Sequence, residues 1–249
     1  MAVSYLAVSM LLAAPQAPAA AAQDTRPSSA DLDALYRDRE HPASAAAAER
    51  GWAARVAADP HDFEAAWKLA RARYWLGTNG PGNDEERKAM LEAGIEAGRL
   101  AAAARPDAPA GYFWMAANMG ALADAHGLRQ GLKYRGRIKD ALERALALDP
   151  SYLDGSPDRA LGRWYFKVPR LFGGDLRRSE EHLRASLAYK ADSVITLLFL
   201  GETLLARDRP AEARDVLQRA VNATPDPAWA PEDLRFQAEA RKLLASIRP

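Results

Sequence analysis

Four Pro-closed turns, at Asp59-Pro60, Arg105-Pro106, Asp149-Pro150 and Thr224-Pro225, constrain this chain most, because each interrupts a long run of helix-forming sequence. Pro60 to Pro106 is 46 residues, Pro106 to Pro150 is 44, and Pro150 to Pro225 is 75, room for two shorter units with Ala191 near the middle closing position. Ala, Leu and Arg dominate between the turns, β-branched residues are sparse outside Val194-Ile195-Thr196, and no strand-like alternation occurs. The pattern predicts an all-α chain of stacked helix pairs over 31–39 and 43–58, 62–76 and 84–104, 109–126 and 128–148, 157–168 and 176–188, 193–207 and 210–223, with a capping helix from Pro231. Gly127 suits a C-terminal cap for the fifth of these helices.

The last full unit fits the tetratricopeptide period of about 34 residues. With Pro225 as its closing residue, Leu197, Leu200, Gly201, Leu204, Ala213, Leu217 and Ala220 fall at the small or apolar positions. Earlier units carry the same pattern with about ten extra residues, at 77–84 and within 120–132. The expected architecture is a tetratricopeptide-like α-α superhelix of about four to five helix pairs with a C-terminal capping helix. The first 22 residues are uncharged, with a short apolar run from Leu6 to Ala14 and small residues up to Ala22. They read as a signal peptide over 1–22, followed by a flexible lead over 23–30 and the helical domain over 31–249, exported to the periplasm.

Lys and Arg total 34 against 33 Asp and Glu, which argues against a nucleic-acid partner. There is no cysteine, so disulfides, thiol catalysis, thiolate metal sites and lipoprotein acylation are all excluded. His41, His61, His126 and His182 lack metal-ligand spacing, and no phosphate loop, nucleophile elbow or zincin motif occurs. The reading is non-enzymatic, with no cofactor and no metal.

The chemistry concentrates in two adjacent units. Lys133-Tyr-Arg-Gly-Arg-Ile-Lys139 puts four cations in seven residues, and Arg163, Lys167 and Arg170 follow, interleaved with Trp164, Tyr165, Phe166 and Phe172. Pro169 stops that helix, and Gly173-Gly174 make a tight loop before Asp175 opens the next one. Cations beside aromatic walls suit a groove for an organic anion. The competing reading makes the aromatics inter-repeat core and pairs the cations with Glu143, Asp158, Asp175, Glu180 or Glu202.

The blocks Gly111-Tyr-Phe-Trp-Met-Ala-Ala-Asn-Met-Gly-Ala-Leu122, Gly131-Leu-Lys-Tyr134, Arg159 to Asp175, Ser179-Glu-Glu-His-Leu183, Thr196-Leu-Leu-Phe-Leu200 and Trp229-Ala-Pro-Glu-Asp233 together resemble the TatT family. These are periplasmic tetratricopeptide proteins associated with tripartite ATP-independent periplasmic (TRAP) transporters. The resemblance implies an often trimeric protein with a hydrophobic opening through each protomer, which binds the TRAP solute-binding protein and receives a small organic acid. The ligand site would then comprise Asn118, Lys133, Tyr134, Lys139, Arg163, Trp164, Lys167, Arg170 and Phe172, beside the Gly173-Gly174-Asp175 loop. The alternative is a generic envelope scaffold for protein partners. A weaker likeness to eukaryotic microtubule-dynamics regulators, through a Leu-Gly-Arg-Trp block, reads as shared architecture only.

Overall fold

A computed structural model describes residues 27–125 and 127–247, with the side chains of 127–130 left aside. Among the described residues the chain is helical, as α1 (Ser29–Arg37), α2 (Pro42–Ala58), α3 (Phe63–Asn79), α4 (Asp84–Ala104), α5 (Pro109–Ala125), α6 (Gly127–Leu148), α7 (Tyr152–Lys167), α8 (Leu176–Leu187), α9 (Val194–Ala206), α10 (Pro210–Asn222) and α11 (Ala230–Ser246). The expected signal segment over 1–22 lies outside the described residues, and the ordered helices begin at Ser29.

Side-chain caps set the starts of α1, α3, α4 and α8. The Ser28 side chain accepts from the Asp31 amide and Asp31 answers back to the Ser28 amide, a capping box that Asn83 and Glu86 repeat at α4. Asp62 caps α3 by accepting from the Ala65 amide, and Asp175 caps α8 by accepting from the amides of Arg177 and Arg178. Of the extra residues expected as an insertion over 77–84, the loop keeps only 80–83, since α3 runs on to Asn79 and α4 starts at Asp84. Gly127 opens α6.

The first turn of α7 departs from the expected start at Pro157. Leu153, Asp154 and Gly155 have φ of 46°, 58° and 76°, a left-handed excursion before the regular helix. Gly155 admits it because a Cβ there would lie 2.8 Å from the Tyr189 ring.

The first helices of successive pairs pack on one another, α3 on α5, α5 on α7, α7 on α9 and α9 on α11, while each second helix packs between its own partner and the next pair. The first helices therefore form an inner layer and the second helices an outer one. Apolar burial falls into two clusters. One, built on Trp52, Leu69, Leu91, Met119, Leu142, Leu161 and Trp164, runs from α1 to α7, and Trp229 from the α10–α11 connection packs against it. The other, built on Leu183, Leu197, Leu200, Leu204 and Leu217, joins α8 to α11.

The two ends meet on the inner side. Arg39 is 2% exposed, and its guanidinium pairs with Glu232, donates to the Ala228 carbonyl at 2.9 Å and stacks on Tyr36, Trp75 and Trp229. The Trp75 indole donates to the Arg39 carbonyl at 2.9 Å, and Arg235 of α11 pairs with Asn79 of α3. Among the described residues no helix is long and apolar enough to cross a membrane.

Candidate functional site

The residues singled out between α5 and α8 take three settings. Asn118 is fully buried, and its amide donates to the carbonyls of Ala70 at 3.0 Å and Trp114 at 2.8 Å, which ties α5 to α3. Its Oδ1 is buried without a hydrogen-bond partner against Gly94, where a Cβ would lie 2.1 Å away. Tyr134 and Trp164 are also buried, and the Trp164 indole donates to the Arg135 carbonyl at 2.9 Å, joining α7 to α6.

A second group has internal partners. Lys139 pairs with Glu143 one turn on. Arg163 pairs with Glu202 of α9 and lies over the rings of Phe199 at 4.2 Å and Phe166 at 5.2 Å. The third group faces outward: Lys133 over the Tyr134 ring, Lys167 at 3.8 Å from Asp124, Arg170, and Phe172 beneath Arg135 at 5.2 Å. The Gly173-Gly174-Asp175 loop is a tight structural turn between α7 and α8. Gly173 has φ 105°, a Cβ on Gly174 would fall 1.6 Å from the Val168 carbonyl, and the Asp175 amide donates to the Tyr165 carbonyl at 3.0 Å.

A different constellation converges on the inner side of α1, α3, α5 and α7. Arg71 lies over the Tyr36 ring at 3.9 Å and the Trp67 ring at 5.1 Å. It donates to Asp33 at 3.3 Å, a carboxylate already held at 2.5 Å by Lys68, and its Nε is buried with no hydrogen-bond partner. Tyr74 packs on Trp114 at 5.8 Å, and the Trp114 indole donates to the Tyr152 hydroxyl at 3.2 Å. Arg159 of α7 donates to the Ser156 hydroxyl and has no carboxylate within ion-pairing distance among the described residues.

Burial governs the electrostatics here. It lowers Arg159 to about 10, partly offset by Asp154, Tyr74 and Asp233, although the side chain keeps some contact with solvent. Burial also pushes the Tyr36 hydroxyl up to about 12, against the pull of Arg71 and Arg39, and raises Tyr74 and Tyr152. Asp233, on α11, is raised by burial as well. The inner layer thus carries two guanidinium groups and three neutral phenols beside aromatic rings, side chains of the types that can hydrogen-bond and charge-pair with an anion. Sequence reasoning missed both Arg71 and Arg159. The available signal was a cation inside the apolar stripe of α3, four residues after Trp67 and three before Tyr74.

No group of three or more His, Asp or Glu close enough for a metal ion occurs among the described residues. A depression of about 330 Å³, lined by Pro42, Glu49, Leu76, Arg87 and Met90, lies apart from both constellations.

Fold and site together define an all-α protein of the tetratricopeptide type. A thermophilic TPR protein of Thermus thermophilus superposes with a TM-score of 0.63 at 23% identity, covering 86% of this chain and 97% of that one. Residues 173–247 match a tetratricopeptide repeat model. Residues 30–172 match the model for Regulator of microtubule dynamics protein 1-3, and the chain belongs to that family. Regulator of microtubule dynamics protein 1 of Caenorhabditis elegans is 28% identical over 194 residues, covering 72% of this chain and 82% of that protein. The proteins of the same name from Mus musculus and Homo sapiens are 25% and 24% identical over 76% and 73% of this chain, which spans 66% and 61% of their lengths.

Membership of this family corrects the TatT resemblance and what came with it: the TRAP accessory role, the solute-binding-protein partner, the organic-acid cargo, the trimer and the periplasmic location. The likeness taken as shared architecture is the one that marks the family. The physical reason lies in the block that carried both. Gly162, Trp164 and Tyr165 are buried, and a Cβ on Gly162 would lie 2.6 Å from Leu183, so the block encodes helix packing and says nothing of a solute. The relatives are animal proteins, so a periplasmic setting has no support from them.

Proposed function

We propose that this chain is a non-catalytic scaffold of the regulator-of-microtubule-dynamics family that holds an acidic, extended segment of a protein partner on its inner face. The observation that carries the reading is Arg159, a half-buried cation with no carboxylate partner among the described residues, on the same inner layer of helices as Arg71 with its buried, unpartnered Nε. An enclosed charge without a counter-ion is destabilising, and such groups concentrate where a ligand supplies the missing charge. Tyr36, Tyr74 and Tyr152 add hydroxyls that stay protonated at neutral pH and can donate to carboxylates or backbone carbonyls. Inner-layer helices of stacked pairs present such a surface as a continuous strip.

The relatives' name makes assembled microtubules the first partner to try. Co-sedimentation of the chain with assembled microtubules, compared with the Arg71→Gln/Arg159→Met variant, tests the reading. Pelleting that rises with polymer concentration and falls at least tenfold in the variant supports it. Equal pelleting of both proteins overturns the inner-face assignment.

A further inference from the structure

The turn between α7 and α8 holds a leucine out into solvent on a rigid mount. Leu171 is 87% exposed, well above the other large apolar side chains on the surface, Leu234 at 55% and Tyr189 at 47%. Its turn is pinned from both sides. The Phe172 and Gly174 amides donate to the Pro169 carbonyl at 2.8 and 3.2 Å, and the Asp175 amide ties the far end back to Tyr165. The Phe172 ring sits under Arg135, and Gly173 lies against Trp164. A solitary exposed leucine on a mobile tip would need no explanation; this one is fixed in place.

Cations flank its turn, Arg170 as the preceding residue, Arg135 over the Phe172 ring and Lys167 two residues before Pro169. Arg135 and Arg170 have no carboxylate within ion-pairing distance among the described residues, and Lys167 reaches only Asp124, at 3.8 Å with both side chains widely exposed. A protruding leucine needs a matching pocket on a protein partner, whereas a fluid bilayer accepts it anywhere. Long cationic side chains can meanwhile reach the phosphates around it.

We infer that the Pro169–Gly174 turn is a docking surface for an anionic lipid bilayer, with Leu171 entering the interface and Arg135, Lys167 and Arg170 contacting phosphate head groups. The surface is separate from the inner-face site, so the two can be tested independently. Attachment of this kind is reversible and sensitive to salt.

The test is co-sedimentation of the chain with vesicles of phosphatidylcholine alone, or of phosphatidylcholine with a minor fraction of phosphatidylglycerol. Binding is expected only to the anionic vesicles and is lost at high salt. Lys167→Ala and Arg170→Ala each weaken it about fivefold. Leu171→Ser weakens it about tenfold and, at so exposed a position, leaves the fold intact. Arg159→Met leaves vesicle binding unchanged. Equal partition of the unaltered chain onto neutral and anionic vesicles overturns the proposal. So does unchanged vesicle binding by the Arg170→Ala/Leu171→Ser variant, or absence of vesicle binding together with retention on immobilised poly-glutamate that these substitutions abolish.

Discussion

Arg159 lies in the most unfavourable environment of any cation on the inner face, and its effect on stability has a definite sign. Its folded pKa, about 10, lies below that of an ordinary guanidinium, so between those values the unfolded chain binds the proton more tightly. The penalty is therefore full at neutral pH and fades as pH rises past the folded value. Arg159→Met, which keeps the stem and removes the charge, is expected to stabilise the fold by about 1–2 kcal/mol at pH 7, measured by urea unfolding. A loss of stability on that substitution would contradict the picture of an enclosed, unpaired cation. Asp62 behaves in the opposite sense. Burial acts to raise its carboxyl, but the Ala65 amide and Arg55 outweigh it and hold the group below its usual range. Its contribution is present above the unfolded carboxylate pKa and disappears as pH falls through the lower folded value. Asp62→Ala is expected to cost about 1–2 kcal/mol at pH 7 and progressively less in acid, which thermal unfolding across that range would reveal.

Helix existence was legible from Pro-closed turns, caps and apolar stripes. Asp62, Asn83 and Asp175 each stand where the expected boundary falls, because a cap is a local interaction encoded within about four residues. The left-handed turn over 153–155 was not legible, since Leu and Asp rarely adopt positive φ and the conformation is held by contacts with α8 and Lys190. The crossing of α4 and α5 shows what glycines do at this scale. A Cβ on Gly98 would lie 2.7 Å from the Met115 amide nitrogen, and one on Gly111 would lie 2.4 Å from the Ala102 amide nitrogen. Backbone cannot yield as a side-chain tip can. Gly111→Ala is therefore expected to destabilise by about 1–3 kcal/mol through forced separation of the helices. Differential scanning calorimetry checks it, and an unchanged Tm would refute the close-approach argument.

Across the whole molecule, the boundary between the two family models falls close to the divide between the two core clusters: residues 30–172 span most of the cluster from α1 to α7, and 173–247 hold the generic repeat. The closure of the ends was invisible in the sequence, because Arg39 and Glu232 are 193 residues apart and neither belongs to a local pattern. The candidate ligand residues were named from composition within one window. The structure sends Asn118, Tyr134 and Trp164 to the core and pairs Lys139 with Glu143 and Arg163 with Glu202, whereas Arg71, with its unpartnered Nε, and the unpaired Arg159 lie on α3 and α7, elements related only by stacking. Arg39→Ala removes one side of a buried pair and is expected to cost about 3 kcal/mol and to loosen α1 and α11 together, read by hydrogen exchange. Exchange that rises in α1 alone would show that the ends are not coupled. The most direct measurement of the central claim is a titration of the chain with a poly-glutamate peptide, followed by tryptophan fluorescence, in the unaltered protein and in the Arg71→Gln/Arg159→Met variant. Saturable, salt-sensitive binding is expected, weakened at least tenfold in the variant while the fold remains intact. Saturable binding that the double substitution leaves unchanged, or none in the unaltered chain at low salt, would contradict it.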